Sequence, residues 1–87
     1  MRWSVFADLD RRLDDDERGD LFAAIDVEIP DSGCVGPNRA GVEEVYFVIE
    51  ADSAAAARDV AAEHMDRVLA ASGVRVGYTI TLQASSR

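Results

Sequence analysis

Apolar and polar positions alternate over the first nine residues. Trp3, Val5, Ala7 and Leu9 fall on one face, and Ser4, Phe6 and Asp8 on the other. A period of two rich in aromatic and β-branched residues predicts a strand from Arg2 to Leu9. The same period returns twice. Residues 43–51 set Val45, Phe47, Ile49 and Ala51 against Glu44, Tyr46, Val48 and Glu50. Residues 74–83 set Val74, Val76, Tyr78, Ile80 and Leu82 against Arg75, Gly77, Thr79, Thr81 and Gln83. The last alternation is unbroken, as expected of a sheet covered on one face only.

Two stretches switch to helical spacing. Asp14 with Glu17 three residues later is an Asp-led capping box, and the acids of Asp14-Asp15-Asp16-Glu17 suit a positive helix N-terminus. Arg18, Leu21, Phe22 and Ile25 follow at helical steps, predicting a short helix near residues 14–25. A longer helix is expected from Ser53 as N-cap to about Ala71, stopped by Ser72-Gly73. Ala54, Ala57, Val60, Ala61, Met65 and Val68 form its apolar stripe. Asp59, Glu63, Asp66 and Arg67 take the far side, with Glu63 and Arg67 four apart for minor surface support. Between Asp26 and Gly41 the pattern is broken by Pro30, Gly33, Gly36, Pro37 and Gly41. A short strand is expected between Val27 and Val35, its register left open by the pattern.

Strand, helix, weak strand, strand, helix, strand is the βαββαβ order. It predicts an α+β, ferredoxin-like fold spanning 1–87 as a single domain, with a four-stranded antiparallel sheet and both helices on one face. In that topology the first and third strands are central and the fourth flanks the first. The open face then carries Phe6, Tyr46 and Val48 amid Glu44, Glu50, Thr79 and Thr81. Two aromatics and a valine left uncovered on so small a domain point to an interface.

Composition sharpens this expectation. A chain of 87 residues hides only about 60% of the surface its unfolded form exposes, so a staple is needed. The single Cys34 cannot form an intrachain disulfide, which fits a reducing cytoplasm and leaves self-association, as a homodimer, the expected source of added stability. All nine basic residues are arginine, a coding bias that suggests a GC-rich bacterial genome. The net charge is −8, and residues 1–31 alone hold ten acids against four arginines. A negative surface repels nucleic acid and anionic lipid, so neither is an expected partner. Asp8, Asp10, Arg11 and Arg12 interrupt the early apolar residues too soon for a signal peptide, and no apolar run is long enough to span a bilayer.

Candidate chemistry is sparse, and no cofactor or metal is expected. The acidic run at 14–17 fits a calcium loop at Asp14, Asp16 and Gly19, but Arg18 and Ile25 stand where further ligands belong. Helix capping explains the run without an ion. His64, the only histidine, falls within an apolar stripe and reads as a partly buried ring making one hydrogen bond. Cys34 lies in a glycine-flanked segment, away from the one base that could activate it. The open-face aromatics occupy the position of an RNA-stacking platform, yet Glu43-Glu44-Val45-Tyr46-Phe47-Val48 is acidic where that motif is basic.

The topology also gathers Asp10, Arg11, Arg12, Cys34, Asn38, Arg39 and Ser72 on one rim, a possible site for a polar or anionic partner. The leading expectation is a small, non-catalytic, acidic accessory protein that pairs with itself through the open sheet face. The alternatives are an acidic inhibitor or nucleic-acid mimic using the carboxylates of residues 8–31, and a dimeric small-molecule enzyme with His64 and Tyr78 lining a cavity between helices and sheet.

Overall fold

The computed structural model describes residues 1–30 and 32–84. Its elements are β1 (Arg2–Leu9), α1 (Asp15–Glu28), β2 (Cys34–Pro37), β3 (Glu43–Glu50), α2 (Ala54–Ser72) and β4 (Tyr78–Ala84). The strands form one antiparallel sheet in the order β2-β3-β1-β4. This is the ferredoxin-like α+β fold. Among the described residues no helix is long and apolar enough to cross a membrane.

The alternation in β1 and β3 sorts side chains between the two faces. Val5 pairs with Phe47 and Ala7 with Val45, all four completely buried beneath the helices. Leu21 and Ile25 of α1, and Ala57, Ala61, Met65 and Val68 of α2, close that core from above. Four buried positions on α2 include two alanines, so the helix packs close to the sheet. Phe22 departs from expectation: it stays 47% exposed, one helical step off the buried stripe of Leu21 and Ile25.

The caps form as the local sequence requires. The Asp14 side chain accepts from the Glu17 backbone N–H at 2.8 Å, and Glu17 reciprocates to Asp14 N–H at 3.1 Å. Ser53 Oγ accepts from Ala56 N–H, and Gly73 ends α2 in the left-handed conformation at φ 75°.

Three boundaries differ from the sequence reading. The first helix runs on to Glu28, because neither glycine nor proline intervenes between Asp20 and Pro30, and Ile25 and Ile29 continue the core contacts of Leu21. Val27, a candidate for the start of the second strand, is therefore helical and 84% exposed. The second strand lies later, at Cys34–Pro37, and the fourth begins at Tyr78 rather than Val74. Residues 74–77 bury Val74 but run as a connection tied to the β1–α1 loop. Asp10 N–H donates to Gly77 O at 3.0 Å, and a Cβ at Gly77 would sit 2.8 Å from Asp10 Oδ2. That close approach explains the glycine.

Candidate interaction surface

The face of the sheet away from the helices is laid out in rows by the strand register. One row is Cys34, Tyr46, Phe6 and Thr81; the next is Gly36, Glu44, Asp8 and Thr79. On the other side of the aromatic row come Val48, Ser4 and Gln83, then Glu50 and Arg2. Phe6 and Tyr46 are half-buried against each other, ring centroids 5.1 Å apart and tilted by 46°. Ser4 Oγ and Tyr46 Oη lie 3.3 Å apart, which pins the phenol within the face. Phe6, Tyr46 and Val48 thus form one apolar strip with charged rows at its two ends.

Those ends differ in charge, one an ion pair that largely cancels and the other wholly acidic. Arg2 stands at one end beside Glu50, at 3.8 Å. At the other, Asp8 and Glu44 are direct cross-strand neighbours, and like charges in that position repel. Burial, followed by the Asp8 carboxylate, pushes the Glu44 carboxyl above its ordinary range, against the pull of Asn38. Asp8 Oδ1 is itself buried without a hydrogen-bond partner among the described residues.

The rim is built differently from the sequence expectation. The topology does bring the β1–α1 loop against the β2–β3 hairpin and the α2–β4 connection: Arg12 Nη1 donates to Gly41 O, and Arg11 Nη2 to Arg75 O. Both arginines also hold carboxylates of their own chain. Arg11 grips Glu17 with two nitrogens, at 2.7 and 3.0 Å, holding the Glu17 carboxyl at about 2 with help from the Asp14 backbone. Arg12 Nε donates to Glu43. Asn38 serves the hairpin, its side-chain oxygen accepting from Ala40 and Val42 N–H. Arg39 is exposed in the same turn. Cys34 is exposed on the sheet face opposite Tyr46, separated by the sheet from His64.

Glu43 is the residue that sequence reasoning missed. It is 1% exposed and accepts from Arg18 Nε at 2.8 Å, Arg18 Nη2 at 2.9 Å, Arg12 Nε at 3.3 Å and Leu13 N–H at 3.1 Å. Arg18 above all holds its carboxyl down at about 2, with the Leu13 N–H and Arg12 assisting against desolvation. The signal was parity: Glu43 shares the inward face with Val45, Phe47 and Ile49. Its role is to bolt the start of β3 to α1 beneath the rim.

On the helix side, His64 Nδ1 lies 2.8 Å from Glu28 Oε2, the same oxygen that accepts from Arg67 Nε at 2.7 Å. Arg67 therefore pairs across to α1 rather than with Glu63. Arg67 first and His64 second keep the Glu28 carboxyl below its ordinary range. The His64 ring meets Phe47 edge-on at 5.8 Å. Tyr78 lies on the opposite flank of α2, donating to Asp66 Oδ1 at 2.7 Å, and burial lifts its hydroxyl to about 12. The helix separates the two residues, so they do not share a cavity. A depression of about 530 Å³ is an outer groove between the helices whose Glu28 and Arg67 are already bonded to each other. Among the described residues, no three His, Cys, Asp or Glu side chains come together as a metal cluster.

No protein-family model, curated protein or solved structure matches the chain.

Proposed function

We propose that this chain is a non-catalytic accessory protein that docks through the uncovered face of its sheet, with a second copy of itself as the occupant. The observation that carries the reading is the strip of Phe6, Tyr46 and Val48, over which no layer packs among the described residues while both helices pack on the other side. A thin core gains most from burying such a strip.

The polarity of the face supports self-pairing in one orientation. Sheets packed face to face keep their strands within about 30° of each other. With β1 of one copy running opposite to β1 of the other, the Arg2–Glu50 row of each lies over the Asp8–Glu44 row of its mate, so that Arg2 can meet an acid and the two wholly acidic rows stay apart. Val48 then meets the aromatic pair. The opposite orientation would stack Asp8 and Glu44 on their own counterparts and is disfavoured by repulsion. The acidic-mimic reading gains less support, since Asp14, Asp15, Glu17 and Glu28 already accept hydrogen bonds from their own chain.

Sedimentation equilibrium at low micromolar concentration tests the reading. The wild type is expected to exceed the 9.4 kDa of one chain. Tyr46→Arg removes a central aromatic anchor and should weaken association by roughly 30-fold, a loss of about 2 kcal/mol. A wild type of single-chain mass, or a Tyr46→Arg variant with unchanged association, overturns it.

A further inference from the structure

We propose that the outer edge of β4 is a second, separate self-association surface, where two copies add β4 to β4 antiparallel about Thr81 and join their sheets into one of eight strands. The backbone phase of β4 supplies the first argument. Gly77 O accepts from Asp10 N–H, and Thr79, Thr81 and Gln83 lie opposite Asp8, Phe6 and Ser4 of β1. Backbone groups alternate in direction along an antiparallel strand. Those of Tyr78, Ile80, Leu82 and Ala84 therefore point away from the sheet, beyond the last strand in the order β2-β3-β1-β4. Only the Ile80 carbonyl on this row is met by a side chain among the described residues, Arg58 Nη1 at 3.1 Å.

The two edges of the sheet are unequal. β2 is four residues long and contains Gly36 and Pro37, features that blunt an edge against pairing. β4 is seven residues of Tyr-Thr-Ile-Thr-Leu-Gln-Ala, without charge, proline or glycine. An uncharged, β-branched edge of that length is a template for another strand. In a chain of net charge −8, a second copy approaches with least repulsion along such a neutral segment.

The strand is also complementary to itself. A dyad at Thr81 places Ile80 opposite Leu82 of the second copy and Tyr78 opposite Ala84, so every outward backbone group finds its mate. On the helix side this joins half-buried Ile80 to half-buried Leu82 and half-buried Tyr78 to exposed Ala84; on the open face it pairs Thr79 with Gln83 and Thr81 with Thr81. The isologous contact closes with two copies. Arg58 yields its place at Ile80 O to Leu82 N–H of the second copy. The dyad is perpendicular to the sheet, so both open faces look the same way and the docking strip is doubled rather than hidden.

Cross-linking reads this edge apart from the face. Opposed residues at a non-hydrogen-bonded antiparallel position have Cα atoms about 4.5 Å apart, within disulfide reach. In a Cys34→Ser background, Thr81→Cys treated with oxidised glutathione is expected to give a species of twice the 9.4 kDa chain mass. Thr79→Cys, about 14 Å from its own counterpart by strand rise, should not. The Thr81→Cys product should persist with Tyr46→Arg added, which disables the face. It should be lost with Ile80→Pro, which removes an outward N–H and leaves the bonds to β1 intact. Equal cross-linking at 79 and 81, none at either, or a product abolished by Tyr46→Arg overturns the proposal. The cross-link requires no destabilising change, so a poorly folded Ile80→Pro variant does not spare it.

Discussion

Replacing Glu43 with glutamine tests how the rim is held. The side chain keeps its shape but loses its charge, and an amide donor now faces guanidinium donors of Arg18 and Arg12. Breaking a buried ion pair by removing one partner costs about 3–5 kcal/mol when the remaining charge is stranded. Here Arg18 is 24% and Arg12 60% exposed, so water recovers part of that loss. The fall of the Glu43 carboxyl from 4.5 to about 2 corresponds to about 3 kcal/mol. Both routes lead to a destabilisation of about 2–3 kcal/mol, or roughly 10–20 °C in Tm for a domain of this size. The sign with pH follows from the lowered carboxyl. The stabilisation is fully present above 4.5 and is lost as pH falls towards 2. Urea unfolding of wild type and Glu43→Gln, at one fixed protein concentration between pH 7 and 2.5, should show a gap that is constant above about pH 5 and closes in acid. A gap that is absent at pH 7, or that persists undiminished at pH 2.5, refutes the ion-pair account.

Two further substitutions separate other contributions. Glu44→Gln should stabilise the fold at pH 7 by up to about 1 kcal/mol, because it relieves a desolvated carboxylate from its cross-strand neighbour Asp8. The raised carboxyl means that this gain fades below 4.5, where wild-type Glu44 is protonated folded or unfolded; thermal melts at pH 7 and 4 check it, and a loss of stability at pH 7 contradicts it. Gly33→Ala would drive its Cβ into the Ile25 side chain, so melting should reveal a cost of about 1–3 kcal/mol, whereas an unchanged Tm would show that the α1–β2 connection moves freely.

Elements with local signals were legible in the sequence. The period of two defined β1 and β3, and the capping box at Asp14 and Glu17 located the start of α1 within a residue. The parity of β4 was also readable, but not its start. Val74 and Val76 continue the alternation, while the pairing to β1 begins only once the chain has cleared Asp10 at Gly77. β2 was obscured because four residues holding Gly36 and Pro37 carry almost no pattern.

Tertiary pairing decided what the sequence left open at the candidate sites. Glu43 reads as a surface charge until Arg18, 25 positions away, is brought over it. Arg67 has Glu63 as a helical neighbour, yet Glu28 from α1 offers the bond that forms. Arg11 and Arg12 looked available for an anion, and both instead tie the loop to the chain's own carboxylates. The open face needed only topology and parity, which is why Phe6, Tyr46 and Val48 could be placed on it in advance.

Backbone amide NMR spectra recorded from millimolar to low micromolar concentration test the docking claim most directly. If the bare side of the sheet is where copies meet, dilution should move the resonances of Ser4, Phe6, Tyr46 and Val48 while those of Asp20, Ala23 and Ala71 on the outer helical groove stay fixed. Spectra that do not change with concentration while the chain sediments at single-chain mass, or changes confined to α1 and α2, would contradict it.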